Sequence, residues 1–152
     1  MKTKIYLDDL RTPKDDKWIV VRDFYEFKDK VSDIGLENID TISLDHDLGD
    51  TAVDEYYNNV QPNYKLNYKN IEEKTGLDCV KWLIQHYYNN NPNRVEMSRS
   101  EKKGEKFNFP NVYVHSANPI GAHNMIGYIN NFYKNEGQKQ SCERVKIPHT
   151  VY

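Results

Sequence analysis

The strongest constraint on the fold is a mostly apolar run that stops abruptly at charged residues. Residues 39–44 are rich in β-forming side chains, and Asp45, His46 and Asp47 follow directly. A run of this kind is typical of a central strand in a sheet that is covered on both faces. The strand therefore leads from a buried interior to a polar site.

Two further apolar runs end in polar side chains in the same way. Residues 5–7 lead into Asp8 and Asp9, and residues 112–114 lead into His115. The carboxyl ends of parallel strands share one edge of a sheet, and ligands bind at that edge, near the point where the strand order reverses. We therefore expect the three strand ends to meet at one functional site.

Helical patterns separate these strands. Capping signals start them at Asp23 with Glu26, at Thr75 with Asp78, and at Asn118, which precedes a proline. Behind each signal, apolar residues recur at spacings of three and four. Strands that alternate with helices imply right-handed crossovers, so the sequence predicts an α/β layer fold with a mostly parallel sheet.

The chain has the length of one domain, and we expect residues 1–152 to fold as a single unit. Two segments lack a sustained period and are predicted to be long loops. Residues 50–74 are polar and rich in Asn and Tyr, with a short helical turn expected near residues 53–57. Residues 92–110 include a basic, Ser-rich stretch that we expect to be solvated and mobile. Either loop could close over a ligand.

Charge and composition exclude several classes of function. A net charge of −2 provides no field that would attract duplex nucleic acid or an anionic membrane. The N-terminal apolar run is too short for a secretory signal, and no run reaches membrane-spanning length. Cys79 and Cys142 lack the spacing of a metal or redox motif. We therefore expect a cytoplasmic protein. Abundant Tyr, Asn and Lys suit an AT-rich genome, which points to a bacterial cell or a phage-infected host.

The aspartates at the strand ends indicate a divalent metal. Gathered at one edge, Asp8, Asp9, Asp45 and Asp47 would repel one another until a proton or a cation relieved the repulsion. Mg²⁺ and Mn²⁺ prefer hard oxygen ligands, and Mg²⁺ commonly bridges to substrate phosphates. We therefore predict a Mg²⁺ or Mn²⁺ site at Asp8, Asp9 and Asp45. The alternative is that these aspartates only cap or turn the chain after their strands.

The histidines and the helix start after the fourth strand indicate phosphate chemistry. Imidazoles exchange protons near neutral pH, and the unpaired N–H groups of a helix N-terminus favour an anion. The catalytic residues that we predict are His46, His115, Asp45 and Asp47. The predicted substrate-binding residues are Arg11, Ser116, Asn118 and His123.

The tyrosines of the first long loop leave two interpretations open. Tyr56, Tyr57, Tyr64 and Tyr68 could stack a nucleobase, since aromatic faces accept bases. They could equally pack their loop onto the body of the protein. A small nucleotide or a cyclic phosphate is the ligand that the whole pattern suggests.

Four short motifs, spread in order along most of the chain, carry a family resemblance. They are Leu-Asp-Asp-Leu-Arg-Thr-Pro at 7–13, Ser-Leu-Asp-His-Asp-Leu-Gly at 43–49, Thr-Gly-Leu-Asp at 75–78 and His-Ser-Ala-Asn-Pro-Ile-Gly at 115–121. Together they resemble the cyclic-phosphate processing receiver domains, a branch of the receiver fold. The resemblance implies a flavodoxin-like three-layer sandwich with a central sheet of about five strands.

The resemblance also implies roles for individual residues. In receivers an acidic pair binds Mg²⁺, a third-strand aspartate accepts a phosphoryl group, and a later Ser or Thr responds to it. These positions match Asp8 and Asp9, Asp45 and Ser116. Residues 10–17 look like a loop in place of the first receiver helix. The residues added to the signalling pattern are His46, Asp47, His115 and Asn118.

Three functions are compatible with this pattern. The leading hypothesis is metal-assisted hydrolysis of a cyclic phosphate or small nucleotide at the carboxyl edge of the sheet. The alternative is a protein that binds a nucleotide signal without cleaving it, such as a phage sponge against host defence. A phospho-accepting receiver ranks below both, because two histidines at the site serve no purpose there.

Overall fold

The β-prone runs form strands in the computed structural model of the protein, which describes residues 2–150. The strands are β1 (Thr3–Leu7), β2 (Thr12–Pro13), β3 (Trp18–Val21), β4 (Ile39–Leu44), β5 (Asn111–Val114), β6 (Glu143–Arg144) and β7 (His149–Thr150). Five of them form one parallel sheet in the order β3-β1-β4-β5-β6, and β2 pairs antiparallel with β7. This is the flavodoxin-like order: β3 lies on one side of β1, and the later strands are added on the other side, starting with β4. The predicted receiver-like α/β fold with five parallel strands is confirmed.

The three long helices begin at the predicted capping signals. The helices are α1 (Phe24–Ile34), α2 (Asp50–Glu55), α3 (Gln61–Asn63), α4 (Gly76–Asn90), α5 (Arg99–Gly104) and α6 (Pro119–Asn135). The Asp23 side chain accepts a hydrogen bond from the N–H of Glu26 at the start of α1. Thr75 and Asp78 form a capping box at α4, and Asn118 caps α6. Each cap satisfies backbone N–H groups that a helix leaves without a partner.

The two faces of the sheet differ in their side chains. On one face, apolar residues of β1, β4 and β5 pack against α1, α4 and α6, which lie side by side with α4 in the middle. The other face carries Tyr6, Ser43 and Tyr113, one from each of the same strands. Thus the long helices form one layer on one face.

The second face of the sheet has no long helix over it in the described part of the chain. A loop with a short strand, rather than a helix, follows β1, and β7 follows β6. These two connections supply no helix to the face of Tyr6 and Ser43. The predicted loop at residues 10–17 is confirmed, apart from the short β2 within it.

The segment at residues 50–74 is more ordered than the loop that the sequence predicted. Helical structure runs from α2 through a π-helical turn (Tyr56–Val60) into α3, and a 3-10 turn follows at Tyr68–Asn70. The buried carboxylate of Glu55 organises it. Glu55 accepts hydrogen bonds from Asn59 at 2.7 Å, from the Asn67 N–H at 2.8 Å and from Asn70 at 2.9 Å.

The basic segment at residues 92–110 also forms elements of its own and contacts the body of the protein, where we predicted a solvated loop. It forms a 3-10 helix (Pro92–Glu96) and α5. Arg94 and Lys102 both contact the buried carboxylate of Glu136 at the end of α6, at 2.7 and 2.8 Å. Because this pairing joins residues far apart in the sequence, the local charge pattern does not reveal it.

The chain finally crosses the carboxyl edge of the sheet. β6 lies beside β5, whereas β7 pairs with β2 in the loop after β1. Residues 144–149 span the distance between them, and we call them the C-terminal segment. No helix among residues 2–150 is long and apolar enough to cross a membrane.

Candidate active site at the carboxyl edge of the sheet

Three aspartates meet where the strand order reverses, between β1 and β4. Asp8 and Asp9 directly follow β1, and Asp45 directly follows β4. The backbone fixes these ends together, since the Asp45 N–H donates to the carbonyl of Leu7 at 2.9 Å. One carboxylate oxygen from each aspartate lies within 4.8 Å of the other two. This carboxylate cluster, as predicted, could hold a metal ion.

The carboxylate of Asp8 is buried and accepts four hydrogen bonds. Its Oδ1 accepts from the backbone N–H groups of Leu10 at 3.0 Å and Arg11 at 2.7 Å. Its Oδ2 accepts from Arg11 Nε at 2.7 Å and from His115 Nε2 at 3.1 Å. Burial acts to raise the pKa of Asp8, but the bonds from His115, Arg11 and Leu10 outweigh it, so the pKa is lowered. Asp8 is therefore held as an anion.

The guanidinium of Arg11 bridges two of the aspartates. Its Nη2 lies 3.2 Å from Asp45 Oδ2, while Nε contacts Asp8. Arg22 supports the loop, because its Nη1 donates to the carbonyls of Asp8 at 3.1 Å and Arg11 at 2.7 Å. At 22% exposure the Arg11 side chain is less buried than either carboxylate that it joins.

The other two carboxylates are easier to protonate than ordinary aspartates. Burial, followed by the charge of Asp8, raises the pKa of Asp45 to about 7 and that of Asp9 to about 6. A divalent cation would relieve this repulsion, and three carboxylate oxygens are donors that Mg²⁺ or Mn²⁺ prefers. The donor set thus fits a hard divalent cation, which would compete with Arg11 for the same oxygens.

His115 lies on the second face of the sheet, flat against Tyr6. The two rings stack with centroids 4.2 Å apart and planes 6° from parallel. His115 Nδ1 is 2.7 Å from Ser43 Oγ. Because Nε2 contacts the Asp8 carboxylate, we assign the proton to Nε2, and Nδ1 then accepts from the Ser43 hydroxyl. Burial lowers the pKa of His115, and Asp8 partly offsets that effect.

His46 is fully buried in a separate hydrogen-bond network. Its Nδ1 donates to Asp47 Oδ1 at 2.6 Å, and its Nε2 accepts from the Tyr68 hydroxyl at 2.9 Å. Asn118 Nδ2 donates to the same oxygen of Asp47 at 3.2 Å. Both ring nitrogens of His46 are occupied, and it shares no hydrogen-bond partner with His115. The structure therefore places the two predicted imidazoles in different networks.

The start of α6 belongs to the His46 network through Asn118 and Asp47. The Asn118 side chain accepts from the Gly121 N–H at 3.0 Å, and the Asn118 N–H donates to Ser116 Oγ at 3.0 Å. Gly121 is packed so closely that a Cβ there would lie 2.4 Å from His46 Cγ. Asn118 is buried, and its side chain both caps α6 and donates to Asp47. These contacts hold the start of α6 in place.

A cleft of about 560 Å³ opens beside the carboxylate cluster. Its walls come from the ends of β1 and β5, the loop after β1, and the C-terminal segment. Three of the predicted site residues line it, namely Arg11, His115 and Ser116. Arg11 links the cleft to the carboxylate cluster, because it lines the cleft and also contacts Asp8 and Asp45. His123 lies exposed on α6 and is not part of the lining.

Four polar residues around the site were not identified from the sequence: Tyr6, Ser43, Arg22 and Tyr68 as a partner of His46. A signal for two of them was available. Tyr6 and Ser43 stand two residues before Asp8 and Asp45, and side chains two apart along a strand point to the same face. The contacts of Arg22 and Tyr68 are long-range and carry no local signal.

The arrangement of Asp8 and Asp9 after β1, Asp45 after β4 and Ser116 near the end of β5 agrees with a family comparison. The sequence model of the family described as the cyclic-phosphate processing receiver domain matches residues 3–131. Comparison with curated proteins and with solved structures gave no match. The matched residues include the carboxylate cluster, His115 and the start of α6. The chain therefore belongs to the cyclic-phosphate processing receiver domain family.

Proposed function

We propose that the protein is a metal-assisted phosphoesterase that processes a cyclic phosphate or a small nucleotide. The observation that carries this proposal is the cluster of Asp8, Asp9 and Asp45 at the strand-order reversal, next to a cleft of about 560 Å³. Family membership supports a role with cyclic phosphates. The cleft has the size of a small-molecule site, whose usual range is roughly 300–1,000 Å³.

Asp8, Asp9 and Asp45 are the residues that would hold the metal. A bound Mg²⁺ or Mn²⁺ would neutralise phosphate charge and lower the pKa of a water molecule. Arg11, whose guanidinium contacts Asp8 and Asp45, would bind the phosphate. Ser116 lines the same cleft and supplies a hydroxyl beside it.

In this proposal His115 is the residue that moves a proton. It lines the cleft, and Ser43 holds it in the tautomer with a proton on Nε2. Only the imidazolium form can be a general acid: with both nitrogens protonated, His115 would release its Nε2 proton to a leaving oxygen and become a neutral imidazole again. His46 and Asp47 act as positioning residues, because their network holds the start of α6 against the end of β4. His123 stays a prediction, with no contact to the cleft that supports it.

Replacing Asp45 by Asn tests the phosphoesterase. With one anionic ligand lost, we expect hydrolysis of a 2′,3′-cyclic nucleotide in Mn²⁺ or Mg²⁺ to fall on the order of 100-fold or more. The measurement is product formation by chromatography, with thermal denaturation to show that the variant is folded. Asp33→Asn, at an exposed position of α1, is the matched control and should keep full activity. Full activity in Asp45→Asn would overturn the assignment.

One observation favours a second candidate, a protein that binds a nucleotide signal without cleaving it. Both ring nitrogens of His46 and of His115 are engaged with other residues. A site built this way holds a ligand readily but has no free base. Incubation with a panel of cyclic and linear nucleotides, followed by mass spectrometry, separates the two functions. Recovery of an intact, tightly held nucleotide after prolonged incubation with metal supports binding alone.

A further inference from the structure

We propose that the cleft between Tyr6 and the C-terminal segment is an anion subsite that binds a second phosphate group of the ligand. This inference rests on the proposed function only for the first phosphate, the one at the carboxylate cluster. It narrows the ligand class to compounds that carry two phosphate groups, such as a nucleoside 2′,3′-cyclic phosphate with a 5′-phosphate.

The hydroxyl of Tyr6 is the first observation. Tyr6 is fully buried, lines the cleft, and has no hydrogen-bond partner for its hydroxyl among residues 2–150. Its ring is held between His115, stacked at 4.2 Å, and Trp18, edge-on at 5.8 Å. Native proteins rarely leave a buried hydroxyl without a partner. A phosphate oxygen in the cleft would accept the hydrogen bond that this hydroxyl offers.

The opposite wall repeats the pattern. Nδ1 of His149 is buried and has no hydrogen-bond partner in the described part of the chain. His149 lines the cleft, as do the positively charged Arg144 and Lys146. No carboxylate among residues 2–150 belongs to the lining. The unpartnered Tyr6 hydroxyl and the cationic wall together favour an anion.

The C-terminal segment is held in place at both ends, so its side chains are organised in advance. Arg144 donates to the carbonyl of Ser116 from Nε at 3.0 Å and from Nη2 at 2.8 Å. The Val145 N–H donates to the carbonyl of Val114 at 2.8 Å, and β7 pairs with β2. A rigid wall binds with less loss of conformational entropy than a mobile one.

The position and size of the cleft separate the second phosphate from the first. Arg11 lines the cleft and also contacts the carboxylate cluster, so a ligand can reach both. At about 560 Å³ the cleft leaves room for the nucleoside between two phosphates. The C-terminal segment lies beyond the family match at residues 3–131.

Inorganic phosphate added to the metal-free protein tests the subsite without any turnover. Without a cation the carboxylate cluster repels phosphate, so we expect ¹H–¹⁵N shifts concentrated at residues 144–149. Tyr6→Phe should weaken phosphate binding about tenfold, because a hydrogen bond to an anion is lost. Its melting temperature should stay equal or rise, since the removed hydroxyl has no partner. Tyr128→Phe, exposed on α6, is the matched control and should bind like the native protein.

Two results would overturn the subsite. One is that phosphate leaves the resonances of residues 144–149 unmoved, and the other is that Tyr6→Phe binds phosphate as tightly as the native protein. A purely structural tyrosine predicts the second result together with a lower melting temperature.

A pair of nucleotides tests the ligand class. We expect a 2′,3′-cyclic nucleotide with a 5′-phosphate to bind at least about tenfold more tightly than the same nucleotide without it. Tyr6→Phe should remove most of that advantage, and equal affinities would contradict the proposal. If neither nucleotide is hydrolysed while the 5′-phosphate still strengthens binding, the phosphoesterase is wrong and the subsite stands.

Discussion

The carboxylate of Asp8 already accepts a full set of hydrogen bonds from residues 2–150, and this limits what the site can bind. Four donors occupy its two oxygens, and three of them come from the backbone or from a buried ring. The fourth is the Arg11 side chain, which is partly exposed. A cation bound by Asp8 would therefore compete with Arg11, and a displaced Arg11 would be free to bind an anion.

Arg11→Gln should strengthen metal binding. The substitution removes a competing positive charge and frees an oxygen of Asp8, so we expect the dissociation constant for Mn²⁺ to fall about tenfold in phosphate-free buffer. Titration of free Mn²⁺ by electron paramagnetic resonance measures it. Arg99→Gln, at an exposed position of α5, should leave the affinity unchanged. Equal or weaker Mn²⁺ binding in Arg11→Gln would show that the guanidinium does not compete.

Among the secondary-structure elements, the loop after β1 and helix α6 determine the site most directly. The loop takes the place of a helix. Tyr6 therefore lines the cleft, and Ser43 lies behind it, hydrogen-bonded to His115. Helix α6 starts against the end of β4, where Gly121 meets the ring of His46. The loop after β1 makes room for a ligand, and the packing of Gly121 on His46 holds the end of β4 in place.

Gly121→Ala tests the packing of α6. A Cβ at this position would lie 2.4 Å from His46 Cγ, so the ring or the helix must shift. We expect a loss of about 1–3 kcal/mol in the free energy of unfolding, typical of an overpacked core. Gly127→Ala on the same helix is the control, since nothing lies within 4 Å of its Cβ position. Alanine there should stabilise the protein by about 0.5–1 kcal/mol. Similar stability changes for the two variants, measured by denaturant unfolding, would argue against this packing.

Local signals predicted a large part of the fold and the meeting of its charged strand ends. Capping residues such as Asp23 and Thr75 act within one helical turn, and the charged strand ends at Asp8 and Asp45 meet because parallel strands share an edge. Segment 50–74 could not be predicted in this way, because Glu55 reaches Asn67 and Asn70 across many residues. Likewise, the partner of each histidine depends on which elements pack against it.

At the scale of the whole molecule, a buried ionic cluster ties the segment of residues 92–110 to α6. Glu136 is fully buried and accepts from the Tyr88 hydroxyl at 2.7 Å, besides its contacts with Arg94 and Lys102. Burial acts to raise the pKa of Glu136, but hydrogen bonds from Lys102, Tyr88 and Arg94 outweigh it and lower the pKa. The carboxylate therefore stabilises the fold in its ionised form.

Stability should depend on Glu136 in a pH-dependent way. A lowered folded-state pKa gives stability that is present above the ordinary value of 4.5 and is lost as pH falls through the folded-state value. Glu136→Gln should lower the free energy of unfolding by about 3–5 kcal/mol at neutral pH, because two buried cations lose their partner. The difference in the free energy of unfolding between Glu136→Gln and the native protein should narrow as the buffer is acidified below the folded-state pKa. Urea unfolding across this range measures it, with exposed Glu105→Gln as control. A gap that is independent of pH would contradict the ionic role.

The pairing of β2 with β7 also bears on the order in which the protein folds. The Thr150 hydroxyl donates to the carbonyl of Thr12 at 3.4 Å, across a separation of 138 residues. Contacts of such long sequence separation carry the largest loop-closure entropy and form late, after local helices and neighbouring strands. The C-terminal wall of the cleft should therefore close onto a sheet that already exists. In hydrogen exchange it should open before the core does.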